Sequence, residues 1–171
     1  MYNRRVSKCH PRVEAYGTVD ELNAALGMAR ASTTTRWLGE EIYRLQKDLV
    51  VVMGELATQV EDLARYAKDG FSLTTPAMTQ HLDQLAKSVE SQKISFKGWA
   101  TPGANPVSAA LDLARTVCRR AERAVCRLQE QDQDQLANPE IIIYLNRLSD
   151  CLWLLARWTE TPDLPDPALV N

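Results

Sequence analysis

The sequence has no surplus of charge of either sign: 20 lysines and arginines stand against 22 acids, a formal net charge of -2 over 171 residues. The arginines are local and not a chain-wide basic excess, so a nucleic-acid partner is not suggested and a small anion is expected instead of a polymeric one. No apolar run reaches membrane-spanning length, and the first residues hold no apolar signal core. A membrane association is thereby set aside, and the chain reads as cytoplasmic. Cysteine occurs at 9, 118, 126 and 151 without a C-x-x-C pair. Reduced structural thiols are expected rather than a disulfide framework or a sulfur-ligated metal. The two histidines, His10 and His81, do not stand in the Glu-x-x-His spacing of ferritin-like metal bundles. A P-loop of the form G-x-x-x-x-G-K-[ST] is missing as well.

What is present is helical period. With 45% apolar residues, the chain can bury one ordinary core, read as a single domain over residues 1–160. Pro11 to Ala31 reads as a first helix, with Val19, Leu22, Ala25, Leu26 and Ala29 on one side and Gly17 weakening it. From Arg36 to Tyr66, Leu38, Ile42, Leu45, Leu49, Val52, Leu56 and Leu63 recur at alternating steps of four and three, interrupted at Gln59. That spacing predicts one long bundle helix. Thr75-Pro76 supplies a cap and a first-turn proline for a third helix carrying Met78, Leu82, Leu85 and Val89. Gln92 to Asn105, with Gly98, Pro102 and Gly103, reads as a loop.

Asn105-Pro106 repeats the start signal and opens a fourth helix to about Gln131, along the apolar row Val107, Leu111, Ala114, Cys118, Ala121, Val125 and Leu128. After a polar turn from Gln129 to Gln135, Asn138-Pro139-Glu140 opens a fifth, with Ile141, Leu145, Leu148, Leu152 and Leu155 facing the core. Past Glu160, Pro162, Pro165 and Pro167 forbid a helix, so 161–171 reads as a flexible tail. No strand pattern competes. The expected fold is all-α, a five-helix up-and-down bundle.

Two polar rows interrupt this apolar design. In the fourth helix Arg115, Arg119 and Glu122 fall at i, i+4 and i+7 beside the core row, and Arg120, Arg123 and Arg127 form a second stripe. Such a stripe suits a small anion, although a solvated charged face has the same pattern. In the last helix Asn146, Asp150, Trp153 and Arg157 fall at i, i+4, i+7 and i+11. Asp150 and Arg157 are either ordinary surface charges or part of a row placed to meet the arginines.

Five segments, in order, resemble the PduO-type corrinoid adenosyltransferases: Arg5-Val-Ser-Lys8, Pro11-Arg-Val-Glu-Ala-Tyr-Gly-Thr-Val-Asp-Glu-Leu-Asn-Ala-Ala-Leu-Gly27, Gly54-Glu-Leu-Ala57, Ala114-Arg-Thr-Val-Cys-Arg-Arg-Ala-Glu-Arg123 and Tyr144-Leu-Asn-Arg-Leu-Ser-Asp150. The resemblance spans Arg5 to Thr159. It implies a homotrimer of five-helix bundles with active sites between subunits, turning ATP and cob(I)alamin into adenosylcobalamin and triphosphate. ATP would come with Mg2+, and a cobalamin reductase or a cobalamin-dependent enzyme is an implied further partner.

By position, Arg119 and Arg123 resemble the family's ATP-contacting arginines. Glu122 resembles the acid that orients them or touches Mg2+ and ribose, so Arg119 and Glu122 are the implied catalytic pair. Asn146 matches a nucleotide contact, and Lys8 a lysine near the phosphates. Arg115 and Asp20 match a pair formed between adjacent subunits beside the corrinoid cleft. In Trp99-Ala-Thr-Pro-Gly-Ala104, Trp99 stands where the family has a phenylalanine under the corrin, and Ala104 replaces the second glycine of that turn. Trp153 also stands where the family has a phenylalanine, as packing. Family members begin with a stretch of the type Thr-x-Thr-Gly-Asp-x-Gly-x-Thr that wraps the triphosphate through backbone N–H groups. Met1-Tyr-Asn-Arg-Arg5 lacks it, so weakened ATP binding is expected. The alternative reading is a corrinoid-binding or carrier paralogue with little or no catalysis.

Overall fold

Leucine and alanine at steps of three and four give the chain its elements, because each such row becomes an apolar stripe only when the segment is helical. The computed structural model describes residues 2, 5–92, 94, 100–130, 136–161, 164, 165 and 167. Among them six α-helices occur and no strand: α1 (Pro11–Ser32), α2 (Arg36–Leu56), α3 (Leu63–Lys68), α4 (Pro76–Glu90), α5 (Pro106–Gln129) and α6 (Glu140–Glu160). α1 packs against α2 and α5, α5 against α6, and α6 against α4. Trp37 and Trp158, edge to face with centroids 5.2 Å apart, join the start of α2 to the end of α6. The rows Leu38 to Leu56 on α2, Leu111 to Leu128 on α5 and Ile141 to Leu155 on α6 are the core.

Helix starts follow the local chemistry. Asn105 accepts from the Ser108 amide at 2.8 Å, and the Ser108 hydroxyl accepts from the Asn105 amide at 3.2 Å, a reciprocal capping box. Asn138 accepts from the Glu140 amide at 3.1 Å. Thr75 makes no side-chain cap bond, so at α4 the proline alone marks the start. His10 does cap α1, through Nδ1 to the Arg12 amide at 3.1 Å.

The single helix expected from Arg36 to Tyr66 is divided. α2 ends at Leu56, a 3-10 turn covers Val60–Asp62, and the six-residue α3 follows, which raises the helix count to six. The cause is a buried polar knot. The Thr58 hydroxyl donates to the Gly54 carbonyl at 2.8 Å. The Arg12 guanidinium donates to the carbonyls of Leu56 at 2.9 Å and Thr58 at 3.0 Å, taking up acceptors that a helix end leaves over. Buried Glu55 accepts from the Thr74 amide at 2.6 Å and the Asn138 side chain at 2.9 Å. Tyr66, rather than the half-buried Leu63, fills the space beyond the break.

After α6, Leu164 packs against the core. Among the described residues no helix is long and apolar enough to cross a membrane.

Candidate functional site

The Asn105 side chain at the start of α5 donates to the Thr159 carbonyl near the end of α6 at 2.9 Å, so the two helices run antiparallel. Their core rows face each other: Leu111, Ala114, Cys118, Ala121 and Val125 are fully buried. The polar rows consequently lie side by side, and they meet at two rungs. At the first, the Asn146 amide donates to Glu122 at 2.9 Å. At the second, Arg157 donates through Nη2 to Asp112 Oδ2 at 2.6 Å. The other oxygen of Asp112 accepts from Arg115 Nε at 3.1 Å. Asp112 and Glu122 are ten residues apart, about 15 Å along the axis at 1.5 Å per residue. Arg119 projects from α5 between them. Arg119 and Arg123 are exposed, and Glu122 and Arg115 are half-buried.

This arrangement suits anion binding. Two exposed guanidiniums one turn apart offer a fork of N–H donors, and a carboxylate fixed by an amide stands between them in sequence. The first rung thus places a fixed acid between two exposed cations along the helix.

The remaining sequence-derived residues are distributed as follows. Asp20 is exposed on α1, and within the chain Arg115 pairs with Asp112 instead. The neighbouring Glu21 pairs with Arg120. Lys8 is exposed and lines a cleft of 370 Å³ with Cys9, Glu14 and Arg127, which joins it to the second arginine stripe. Asp150 does not join the arginine row: it is exposed, 3.7 Å from Arg147, which donates to Asp83 on α4 at 2.6 Å. Trp153 is half-buried and lines a cleft of 280 Å³ with Asp150, Arg147 and Glu90. Trp99 lies outside the described residues.

Arg157 is not a surface charge. It is 5% exposed, bridges Asp112 and Glu160, and places its guanidinium 5.9 Å from the Trp153 ring. Asp112, which joins Arg157 to Arg115, is the residue of this row that periodicity misses, although an acid three residues before Arg115 on the edge of a core row is a visible signal. Cys118 and Cys151 donate to the carbonyls of Leu145 and Leu82 at 3.1 and 3.2 Å. Burial pushes the Cys118 thiol far up and that of Cys151 up to about 12, so neither is a nucleophile at neutral pH.

Fold and site together define an all-helical bundle that offers a small anion an arginine stripe braced from the next helix. The chain belongs to the cobalamin adenosyltransferase family, which matches residues 1–159. It is 38% identical to a corrinoid adenosyltransferase of Citrobacter freundii over 161 residues, covering 94% of this chain and 88% of that protein. It is 40% identical to the corrinoid adenosyltransferase PduO of Salmonella typhimurium over 157 residues, 90% of this chain but 44% of that longer relative. A solved variant of the PduO-type ATP:corrinoid adenosyltransferase of Lactobacillus reuteri, complexed with cobalamin and ATP, matches with a TM-score of 0.80 and 31% identity. The match covers 91% of this chain and 83% of that one.

Proposed function

We propose that the protein transfers the 5'-deoxyadenosyl group of ATP to cob(I)alamin, releasing adenosylcobalamin and triphosphate. Family membership supports the reaction, and the observation that carries the site is the rung from Asn146 to Glu122 beside exposed Arg119 and Arg123. The cobalt electron pair of the substrate forms a bond to the 5' carbon as the bond from that carbon to the triphosphate oxygen breaks. The protein's share is alignment and leaving-group stabilisation. Arg119 and Arg123 take the negative charge that gathers on the departing oxygens. Glu122, held by Asn146, orients these arginines and faces the Mg2+ and ribose of the nucleotide, with Lys8 toward the phosphates. Asp20 of one copy pairs with Arg115 of the next in a homotrimer, bordering the corrinoid cleft, and Trp99 packs under the corrin. The chain is one domain through Glu160 followed by a tail, works in the cytoplasm, and receives its corrinoid reduced by a separate reductase.

The test is adenosylcobalamin formation from ATP, Mg2+ and chemically reduced cobalamin. Removing one donor aimed at developing charge costs about 100-fold or more in rate, so Arg119→Ala is expected to lose that much. An unchanged rate in the Arg119→Ala variant overturns the assignment. Corrinoid binding by the unaltered chain without any turnover favours the carrier reading.

A further inference from the structure

The second rung has a geometry that ordinary ion pairing does not require. Asp112 is buried, and each of its carboxylate oxygens is used by a different helix position: Oδ2 by Arg157 across the helix interface at 2.6 Å, and Oδ1 by Arg115 one turn further along α5 at 3.1 Å. Arg157 is itself buried and shared with Glu160 at 3.1 Å, so Asp112 is anchored from the core side. Arg115 is different. It is engaged at Nε, while its two terminal nitrogens make no hydrogen bond among the described residues. A guanidinium is a rigid planar fork with two edges that fit a carboxylate, one made of Nε and a terminal nitrogen, the other of both terminal nitrogens. Holding the Nε side leaves the far edge presented outward, and a long side chain that would otherwise sample many rotamers is fixed.

We propose that Asp112 is a positioning residue: anchored by Arg157, it grips Arg115 at Nε so that the terminal edge of that guanidinium is set to receive the Asp20 carboxylate of a neighbouring copy. This rests on the reading of Arg115 and Asp20 given above. It adds that the pair is built on a triad within each chain, Arg157 to Asp112 to Arg115, so corrinoid binding depends on a residue that touches neither corrinoid nor nucleotide. The nucleotide rung at Glu122 and Asn146 stands about 15 Å away and shares no partner with it, so ATP binding is insensitive to Asp112.

The experiment is calorimetric titration of hydroxocobalamin and, separately, of ATP with Mg2+, into the assembled full chain and its Asp112→Asn, Arg115→Ala and doubly substituted variants. Asparagine keeps the volume and one acceptor oxygen but loses the charge that grips both arginines. Asp112→Asn is expected to weaken hydroxocobalamin binding about tenfold, the equivalent of 1.4 kcal/mol, with the ATP dissociation constant changed less than twofold. In the Arg115→Ala background the same substitution is expected to add less than twofold. A full tenfold loss in that background, or equal loss for both ligands, overturns the proposal. Should Asp112→Asn fail to fold, Asp112→Glu, which keeps the charge for Arg157 but displaces the carboxylate by one methylene, is expected to show the same split, and an unchanged hydroxocobalamin affinity there overturns it equally. Normal corrinoid and ATP affinities in the unaltered chain without turnover defeat the catalytic reading and leave the positioning result standing on its own.

Discussion

A thiol reports on its surroundings through its reactivity, and the four cysteines sit in different surroundings. Cys9 is exposed before α1, Cys126 is half-buried, and Cys118 and Cys151 are buried donors to backbone carbonyls. Only a thiolate attacks a disulfide reagent readily, and burial raises the Cys118 and Cys151 thiols out of reach. At pH 8 an aromatic disulfide reagent is expected to modify one thiol fast, and Cys9→Ser is expected to abolish that phase. A second fast thiol that persists in a Cys126→Ser background would contradict the burial of Cys118 and Cys151 between the helices. Asp48 offers a pH test. It accepts from the Tyr144 hydroxyl at 3.3 Å, yet desolvation outweighs that bond and raises its pKa. A carboxyl raised in the folded state contributes stability below its unfolded value of about 3.9, and that contribution is lost as pH rises through the folded value. Asp48→Asn is therefore expected to raise the Tm at pH 7 and to lose that advantage near pH 4, and a gain that grew on acidification would refute the account. At this scale the sequence was informative where chemistry is periodic. Arg115, Arg119 and Glu122 share a stripe, with Arg123 on the stripe beside it, because of their spacing alone. Asp112 escaped notice because its meaning depends on Arg157, 45 residues away.

Helix boundaries divide along the same line. The Asn105-Pro106 and Asn138-Pro139 starts were legible because a cap is made within three residues. The break after Leu56 was not, since it is enforced by Arg12, Thr74 and Asn138, which lie 44, 19 and 83 residues from their partners in this knot. A leucine row that continues to Leu63 cannot reveal a competing set of buried hydrogen bonds. The short α3 that results brings Tyr66 against α2 at Gly54, where an added side-chain carbon would collide with the Tyr66 hydroxyl. Alanine ordinarily improves a helix interior by nearly 1 kcal/mol over glycine. Here Gly54→Ala is expected to destabilise instead, by about 1–3 kcal/mol from overpacking. Tyr66→Phe in the same chain removes the obstructing oxygen and is expected to recover more than half of the loss. The two effects are read as midpoints of urea unfolding, and a stabilised Gly54→Ala single variant would show that α3 is not held against α2.

On the proposed reading, one copy of the molecule leaves the corrinoid half of the site unfinished. The contact of Asn146 with Glu122 forms within one chain, whereas Asp20 is exposed on α1 and meets no arginine among the described residues. Large apolar side chains also remain on the two helices that carry Asp20 and Arg115: Met28 on α1 is 58% exposed and Leu113 on α5 is 47% exposed. Apolar exposure on the helices that carry an acid and an arginine edge without a partner among the described residues is what a contact between copies would cover. Reversing both charges is a poor test, because an acid at position 115 would face Asp112 one turn away. Neutral replacements avoid that conflict. Breaking one member of a desolvated pair costs about 3–5 kcal/mol, whereas removing both costs less because no buried charge is left alone. Sedimentation velocity over a dilution series is expected to show assembly weakened by Asp20→Asn and by Arg115→Gln, with the double variant no weaker than the worse single one. Additive losses, or assembly indifferent to Asp20→Asn, would place the contact between copies somewhere other than this pair.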